Sequence, residues 1–329
     1  MFVALSEARN MATRALIQLG LSAEEADITA DHLLDCELRG LGYSGLARIV
    51  SIAERIPPAG TSREPIAVRK ETPVSVLLDG GDNLGYLVAR RATELVINKA
   101  LHSGLALAGA HNTWYTGMLS YYAEMTTARD LVVFIASNAT PWVAPHGGTE
   151  ARFGTNPVCF GFPGKDGPAI WDIGTSEIIH AQVLLARRLG RELPSGVAFD
   201  AAGEPTTDPV LALSGAFAAW GGHKGSGLGM VVQLLGMLAG SPALPGELHD
   251  FGFLVLAVQP GLLGSLDEFK QKVSDYADII RGTRPLEADS PVRMPFDRSA
   301  ARRKEQISKG GFEVPDEVYQ AVSALAADP

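Results

Sequence analysis

The stretch 142–163, WVAPHGGTEARFGTNPVCFGFP, constrains this chain most. It packs Pro145, Gly147, Gly148, Gly154, Pro157, Gly161 and Pro163 into one segment, with Thr155 and Asn156 at its centre. Glycine opens backbone conformations closed to other residues and lets a ligand approach the main chain; proline fixes φ and removes a donor. The stretch therefore reads as a shaped loop rather than a regular element, set between the apolar runs 131–136 and 158–162. Loops posed on a rigid scaffold are where sites are commonly built, although a plain connection between strands has the same composition.

Around it, strands and helices alternate. Ala8, Met11, Ala12, Ala15, Leu16 and Leu19 fall on one side of a helix over 6–19. A second helix opens at Ser22 with Glu25 three residues on, a capping-box spacing, and ends near Gly40. A third starts around 43–48 and stops before Pro57 and Pro58. Strands are predicted at 74–78, 105–110, 131–136, 158–162, 169–173 and 253–258, and 79–83 reads as a turn. Helices are predicted at 84–102, around Tyr121 and Tyr122, from a cap at 174–176 to about Leu189, after 221–227, over 266–280 and after Pro315. This alternation makes the class α/β. The expected division is a mainly helical part over 1–70, an α/β core over 71–265, and C-terminal helices over 266–329 that return to the first part.

A chain of 329 residues, 46% hydrophobic and 20% charged, is a soluble protein with a large core. Its net charge of −9 argues against a nucleic-acid surface, which needs clustered lysine and arginine. The densest basic run, 298–304, is broken by alanines and reads as an exposed helix face. Two cysteines, Cys36 and Cys159, give neither a disulfide framework nor a metal spacing. The first twenty residues lack the features of a signal peptide, and the apolar stretch 228–238 is too short for a bilayer, so the expected location is cytoplasmic, with no membrane partner.

No nucleotide fingerprint emerges. The run Gly225-Ser226-Gly227-Leu228-Gly229 lacks the glycine spacing of G-x-G-x-x-G, and Lys224 precedes Gly-Ser in the wrong order for a phosphate loop. A Rossmann domain is not expected. The seven histidines form no metal pair, and no serine sits in a nucleophile elbow. What remains are polar residues at strand ends: His111 to Tyr115, Asn138, Thr155-Asn156, Asp172 to Ser176, and His223-Lys224. Capping alone accounts for Asn156, Thr175 and Ser176. Lys224 is different, since a cation at the start of a helix opposes the helix dipole and points to an anionic partner.

Together these motifs resemble the type-2 malate/lactate dehydrogenases: Gly-Thr-Asn-Pro ending at Pro157, Asp172-Ile173-Gly174-Thr175-Ser176, and Gly221-Gly222-His223-Lys224-Gly225. That family includes ureidoglycolate and sulfolactate dehydrogenases, diketogulonate reductase, and reductases of piperideine- and pyrroline-2-carboxylate. The resemblance covers nearly the whole chain. It implies a non-Rossmann mixed sheet flanked by helices, NADH or NADPH as cofactor, and a homodimer. It assigns cofactor contacts to Asn138, Asn156, Asp172, Gly174, Thr175, Ser176, His223, Lys224 and Gly225, and substrate contacts to Arg48, Thr155 and His146.

The departures from the family pattern bear on chemistry. Its Ser-His-Gly-x-x-Arg motif reads Tyr43-Ser44-Gly45-Leu46-Ala47-Arg48, so Ser44 stands where the proton-donating histidine would be. A second common histidine is Tyr115, and the family's Pro-Gly-Glu reads Pro295-Phe296-Asp297. Catalytic candidates are therefore Ser44, Tyr115, Tyr43 and His111. Reducing a ketone needs a proton at oxygen, and a positioned acid contributes about 10²–10⁴-fold. A protonated cyclic imine brings its own proton. The expected reaction is thus NAD(P)H-dependent reduction of a carboxylate-bearing C=N bond. The alternatives are a 2-hydroxy/2-oxo acid dehydrogenase using tyrosine or serine, and a non-redox relative with a binding, isomerase or lyase role.

Overall fold

The chain is described by a computed structural model over residues 1–61 and 63–327. It opens with β1 (Phe2–Ala4), α1 (Leu5–Gln18) and α2 (Ala23–Leu38). Helix α1 buries Ala8, Met11, Ala12, Ala15 and Leu16, the stripe its periodicity marks. The expected capping box opens α2: the Glu25 amide donates to Ser22 Oγ at 3.3 Å, and the Ser22 amide donates to Glu25 Oε2 at 2.9 Å. A 3₁₀ turn at Gly42–Ser44 leads into α3 (Ala47–Arg55), which presents Arg48 inward among Ile49, Ser51 and Ile52.

Strands β2 (Ala67–Thr72) and β3 (Ser75–Leu84) follow, then α4 (Gly85–Ser103), β4 (Leu105–Trp114), α5 (Leu119–Thr127) and β5 (Val132–Ser137). Next come β6 (Val158–Phe162), β7 (Ala169–Ile173), α6 (His180–Arg188), the short β8 (Ala198–Phe199), α7 (Pro209–Ser214) and β9 (Ala216–Phe217). Helix α8 (His223–Leu238) precedes β10 (Phe251–Val258), and α9 (Leu266–Arg281), α10 (Asp297–Lys309), β11 (Gly311–Glu313) and α11 (Asp316–Ala326) close the chain.

Seven strands form one mixed sheet in the order β2-β3-β4-β10-β5-β6-β7. Only β3 and β4 pair in parallel, and α4 supplies the crossover that a parallel pair requires. Val88, Ala92 and Val96 of α4 share a core with Val76, Ala108 and Val255 on that sheet. A second core joins α1, α2 and α3 to α11 through Leu16, Leu33, Ile49 and Val322. Strand β1 pairs with β11, and Tyr319 of α11 donates to Glu7 of α1 at 2.8 Å.

Several elements differ from the sequence expectation, each for a local reason. Strand β2 carries no alternation to detect, because it is a mostly exposed edge strand beside β3. The segment 79–83 is not a free turn. Pairing with β4 resumes at Asn83 after an irregularity, with Gly81 (φ 59°) and Asp82 (φ 57°) absorbing the bend. Helix α6 starts at His180, later than the predicted cap. Thr175 Oγ1 donates instead to the carbonyls of Thr155 and Asn156, and Ser176 forms an isolated bridge with Ala219.

The glycine- and proline-rich stretch forms an excursion between the antiparallel neighbours β5 and β6. Val143 pairs with both Phe153 and Phe217, folding the loop onto β9. Asn156, at φ 36°, ties it to α8 by donating to the Gly229 carbonyl at 2.8 Å and to Gln233 Oε1 at 3.0 Å. Asn138 does the same for β10, accepting the Gly252 amide at 2.6 Å and donating to Ser241 Oγ at 3.0 Å.

Candidate active site

Strands β4, β5 and β7 run in one direction, since a single antiparallel strand separates each from the next. Their carboxyl ends share one edge of the sheet. A cavity of about 670 Å³ opens there, lined by residues following β4 (Tyr115, Thr116, Met118), the end of β5 (Ser137, Asn138), and Asp172 and Gly174 at the end of β7. The 3₁₀ turn and α3 contribute Tyr43, Ser44 and Arg48, α6 contributes His180, and the segment before α10 contributes Arg293, Met294, Pro295 and Phe296. Such a volume suits a nicotinamide ring together with a small acid.

One side of the cavity is built around Arg48. Its guanidinium lies 4.2 Å from the centre of the Tyr115 ring, is only 8% exposed, and leaves Nη1 without a partner. A buried cation with an unfilled donor is costly unless something anionic completes it. Tyr115 itself adopts φ 55°, a left-handed conformation that costs a bulky residue about 1–2 kcal/mol and that persists mainly at functional sites. Burial pushes the Tyr115 phenol above its ordinary pKa despite Arg48, and pushes Tyr43 up to about 12. Both therefore stay protonated near neutrality.

The other side is built around Asp172. Its carboxylate accepts the Ser120 amide at 2.7 Å at the start of α5. It is half-exposed, but to the cavity rather than to open water, and burial raises its pKa to about 6 against the pull of that amide. Nearby, Arg39 lies 4.5 Å over the Phe296 ring and is neutralised by Asp35 (2.7 Å) and Glu124. Phe296 is again left-handed, at φ 78°. Asp297, one residue on, pairs with Arg281 at 2.8 Å instead of facing the cavity.

Of the residues singled out from sequence, the cavity brings together Tyr43, Ser44, Arg48, Tyr115, Asn138, Thr155, Asp172 and Gly174. Asn156, Thr175 and Ser176 are buried just behind it, and the Thr175 amide donates to the Thr155 carbonyl at 2.9 Å. His146, His223, Lys224 and Gly225 gather elsewhere, at the start of α8. There the His146 amide donates to Ser226 Oγ at 3.0 Å and the two imidazoles lie 6.2 Å apart. Lys224 and both imidazoles are exposed. His111 lies on β4 against Gly240 and does not line the cavity. Among the described residues no cluster could hold a metal, and no helix is long and apolar enough to cross a membrane.

The structure adds a histidine that the sequence did not single out. His180 lies flat on Trp142, centroids 3.8 Å apart and planes 2° from parallel, with Nδ1 buried and unpartnered. Burial, then the charges of Arg48, Arg187 and Arg188, lower its pKa to about 3, so the imidazole is neutral. Nothing in the sequence around residue 180 announces this. The stack depends on the loop bringing Trp142 across.

Comparison with known proteins agrees with this architecture. The sequence profile of the malate/L-lactate dehydrogenases matches residues 3–323. The L-sulfolactate dehydrogenase of Methanothermobacter thermautotrophicus is 32% identical over 324 residues, covering 95% of this chain and 93% of that protein. The Delta(1)-pyrroline-2-carboxylate reductase of Ancylobacter novellus is 28% identical, covering 98% and 97%. Among solved structures, a dehydrogenase from Sinorhizobium meliloti superposes with a TM-score of 0.90 at 32% identity, covering 99% of this chain and 98% of that one.

Proposed function

The chain belongs to the malate/L-lactate dehydrogenase family, and we propose that, as a nicotinamide-dependent oxidoreductase of that family, it reduces a C=N bond standing beside a carboxylate. A cyclic imino acid is the simplest such substrate. One observation carries the choice: His180, the histidine that lines the cavity, is held neutral, so no imidazolium stands ready to donate a proton. Ser44 and Tyr115 occupy the two positions where the family resemblance expects histidine, His180 is held neutral, and the phenols of Tyr43 and Tyr115 are held protonated.

The nicotinamide, when bound, supplies a hydride. In the cavity Arg48 binds and orients the substrate carboxylate, the kind of contact a guanidinium makes well. The Tyr115 ring beneath it fixes the guanidinium in place. Met294, Pro295 and Phe296 close the cavity from the side of α10 and exclude water. Gly174 and Thr155, at the strand ends, line the space for the nicotinamide, and the α8 cluster with Lys224 holds the nucleotide's phosphates. With an iminium substrate the hydride converts carbon to sp³ and the nitrogen lone pair is regenerated on an atom already protonated. No protein acid is needed.

A second reading has one observation in its favour. Asp172, with a pKa of about 6, is a carboxylic acid in the cavity that can hand a proton to a developing alkoxide, which 2-oxo acid reduction would require. The non-redox alternative draws no support from the named relatives. The test is consumption of NADH and of NADPH with pyrroline-2-carboxylate, piperideine-2-carboxylate, pyruvate plus methylamine, and plain 2-oxo acids. Imines are expected to be reduced with the higher kcat/KM. Turnover of 2-oxo acids alone would reverse the choice.

A further inference from the structure

Helix α6 begins inside the cavity. His180, Ala181 and Gln182 all line it, and among the described residues neither the His180 nor the Ala181 amide finds a carbonyl acceptor. Free amides of a first helical turn favour any anion, so alone they identify nothing. A second group points at the same place. Arg48 lines the same cavity, bears on His180 electrostatically, is more than nine-tenths buried, and has no carboxylate partner among the described residues. The two are held in a fixed relation by Arg188 of α6, which donates to the Ala47 carbonyl at 3.1 Å, to Ser51 Oγ at 2.9 Å and to Glu54 at 3.0 Å, all on α3.

The His180 ring is equally fixed, by its stack on Trp142. Its Nδ1 is sealed and unpartnered, which leaves Nε2 as the nitrogen open to the cavity. A neutral imidazole has one donor and one acceptor, and orphaned buried N–H groups are rarer than orphaned acceptors. The proton therefore belongs on Nε2, facing the ligand. On the opposite side Asp172 repels a second anion, Arg39 is already paired with Asp35 and Glu124, and Arg293 is exposed at the rim.

We propose that Arg48 and the start of α6 form one cradle for a single carboxylate, the guanidinium on one oxygen and His180 Nε2–H with the free amides on the other. The substrate is then a monocarboxylate with its reactive carbon adjacent to that group. This rests on the carboxylate-binding reading of Arg48 given above.

The test is calorimetric titration of the NADH- and NADPH-loaded protein with pyrrole-2-carboxylate, which is planar and not reducible. Pyrrole-2-carboxamide serves as the uncharged control and pyrrole-2,5-dicarboxylate as the dianion. Arg48→Ala and His180→Phe, which keeps the stack but loses the donor, are each expected to weaken carboxylate binding about ten- to a hundredfold. His180→Gln, which restores a donor, should bind within about threefold of wild type if a hydrogen bond is what was lost. The carboxamide should show no such ranking, and the dicarboxylate should bind less tightly than the monocarboxylate. Thermal melting checks that each variant is folded, and His180→Leu replaces the phenylalanine variant if that one is not. Wild-type affinity in the donor-less His180 variant, with Arg48→Ala weakened, overturns the cradle and leaves the Arg48 reading standing. Equal binding by wild type and Arg48→Ala, or none by either, overturns both. Tighter binding of the dicarboxylate overturns the single-anion assignment.

Discussion

The Asp172 carboxylate accepts the Ser120 amide at 2.7 Å, so the end of β7 is docked onto the first turn of α5. Burial still wins over that amide and leaves the group titrating at about 6. If Asp172 protonates a 2-oxo acid during reduction, the rate should be highest below pH 6 and fall as pH rises through it. Asp172→Asn should then cost ~10²–10⁴-fold with such substrates, read from kcat/KM. An unchanged rate would remove Asp172 from proton transfer.

Arg48→Ala should raise KM for a carboxylate substrate about ten- to a hundredfold, the value of a hydrogen bond to a charged group. Cofactor affinity, followed by nucleotide fluorescence, should change far less. Equal losses of both would mean that the arginine supports the cavity as a whole rather than the substrate.

Stability should depend on pH through groups of opposite sign. Burial raises Glu37 to about 7 from its ordinary 4.5, so its contribution is complete below pH 4.5 and is lost as pH rises through 7. Burial lowers His32 and His180 to about 3 from 6.5, so their contributions are present above pH 6.5 and are lost as pH falls toward 3. Each such proton is worth at most about 1.4 kcal/mol per pH unit. Glu37→Gln should therefore flatten the fall in melting temperature between pH 4.5 and 7, and His32→Gln the fall on the acid side. Curves parallel to wild type would contradict these assignments.

Helix α8 exposes Met230 (45%), Leu234 (61%) and Leu238 (67%) on successive turns, an apolar stripe of the kind that marks a protein interface. The expected homodimer should use it. Leu234→Asp with Leu238→Asp should shift the molar mass in solution from dimer to monomer, measured by light scattering after gel filtration. A wild-type monomer, or a double variant that remains dimeric, would place the interface elsewhere or nowhere.

What could be foreseen from sequence follows the physics of each element. Apolar runs such as those of β5, β6 and β10 have little choice but to be central strands, and Ser22 with Glu25 announces α2 directly. The polar edge strand β2 and the interrupted pairing at 79–83 carry no such signal, because neighbours rather than periodicity hold them. In the site, Arg48, Tyr115 and Asp172 were legible through motif position. The partnering of His180 with Trp142 was not, since a long loop brings the two rings together. Asn138 lines the cavity and Asn156 lies behind it, and both spend their amides tying loops to β10 and α8.

The most direct measurement is kcat/KM for pyrroline-2-carboxylate from pH 5 to 10, in wild type and in Asp172→Asn. Reduction of an imine that carries its own proton predicts two superimposable profiles, each falling once, through the pKa of the imine itself. A limb near pH 6 that disappears in Asp172→Asn, or no turnover of the imine by an enzyme that reduces 2-oxo acids, would contradict it.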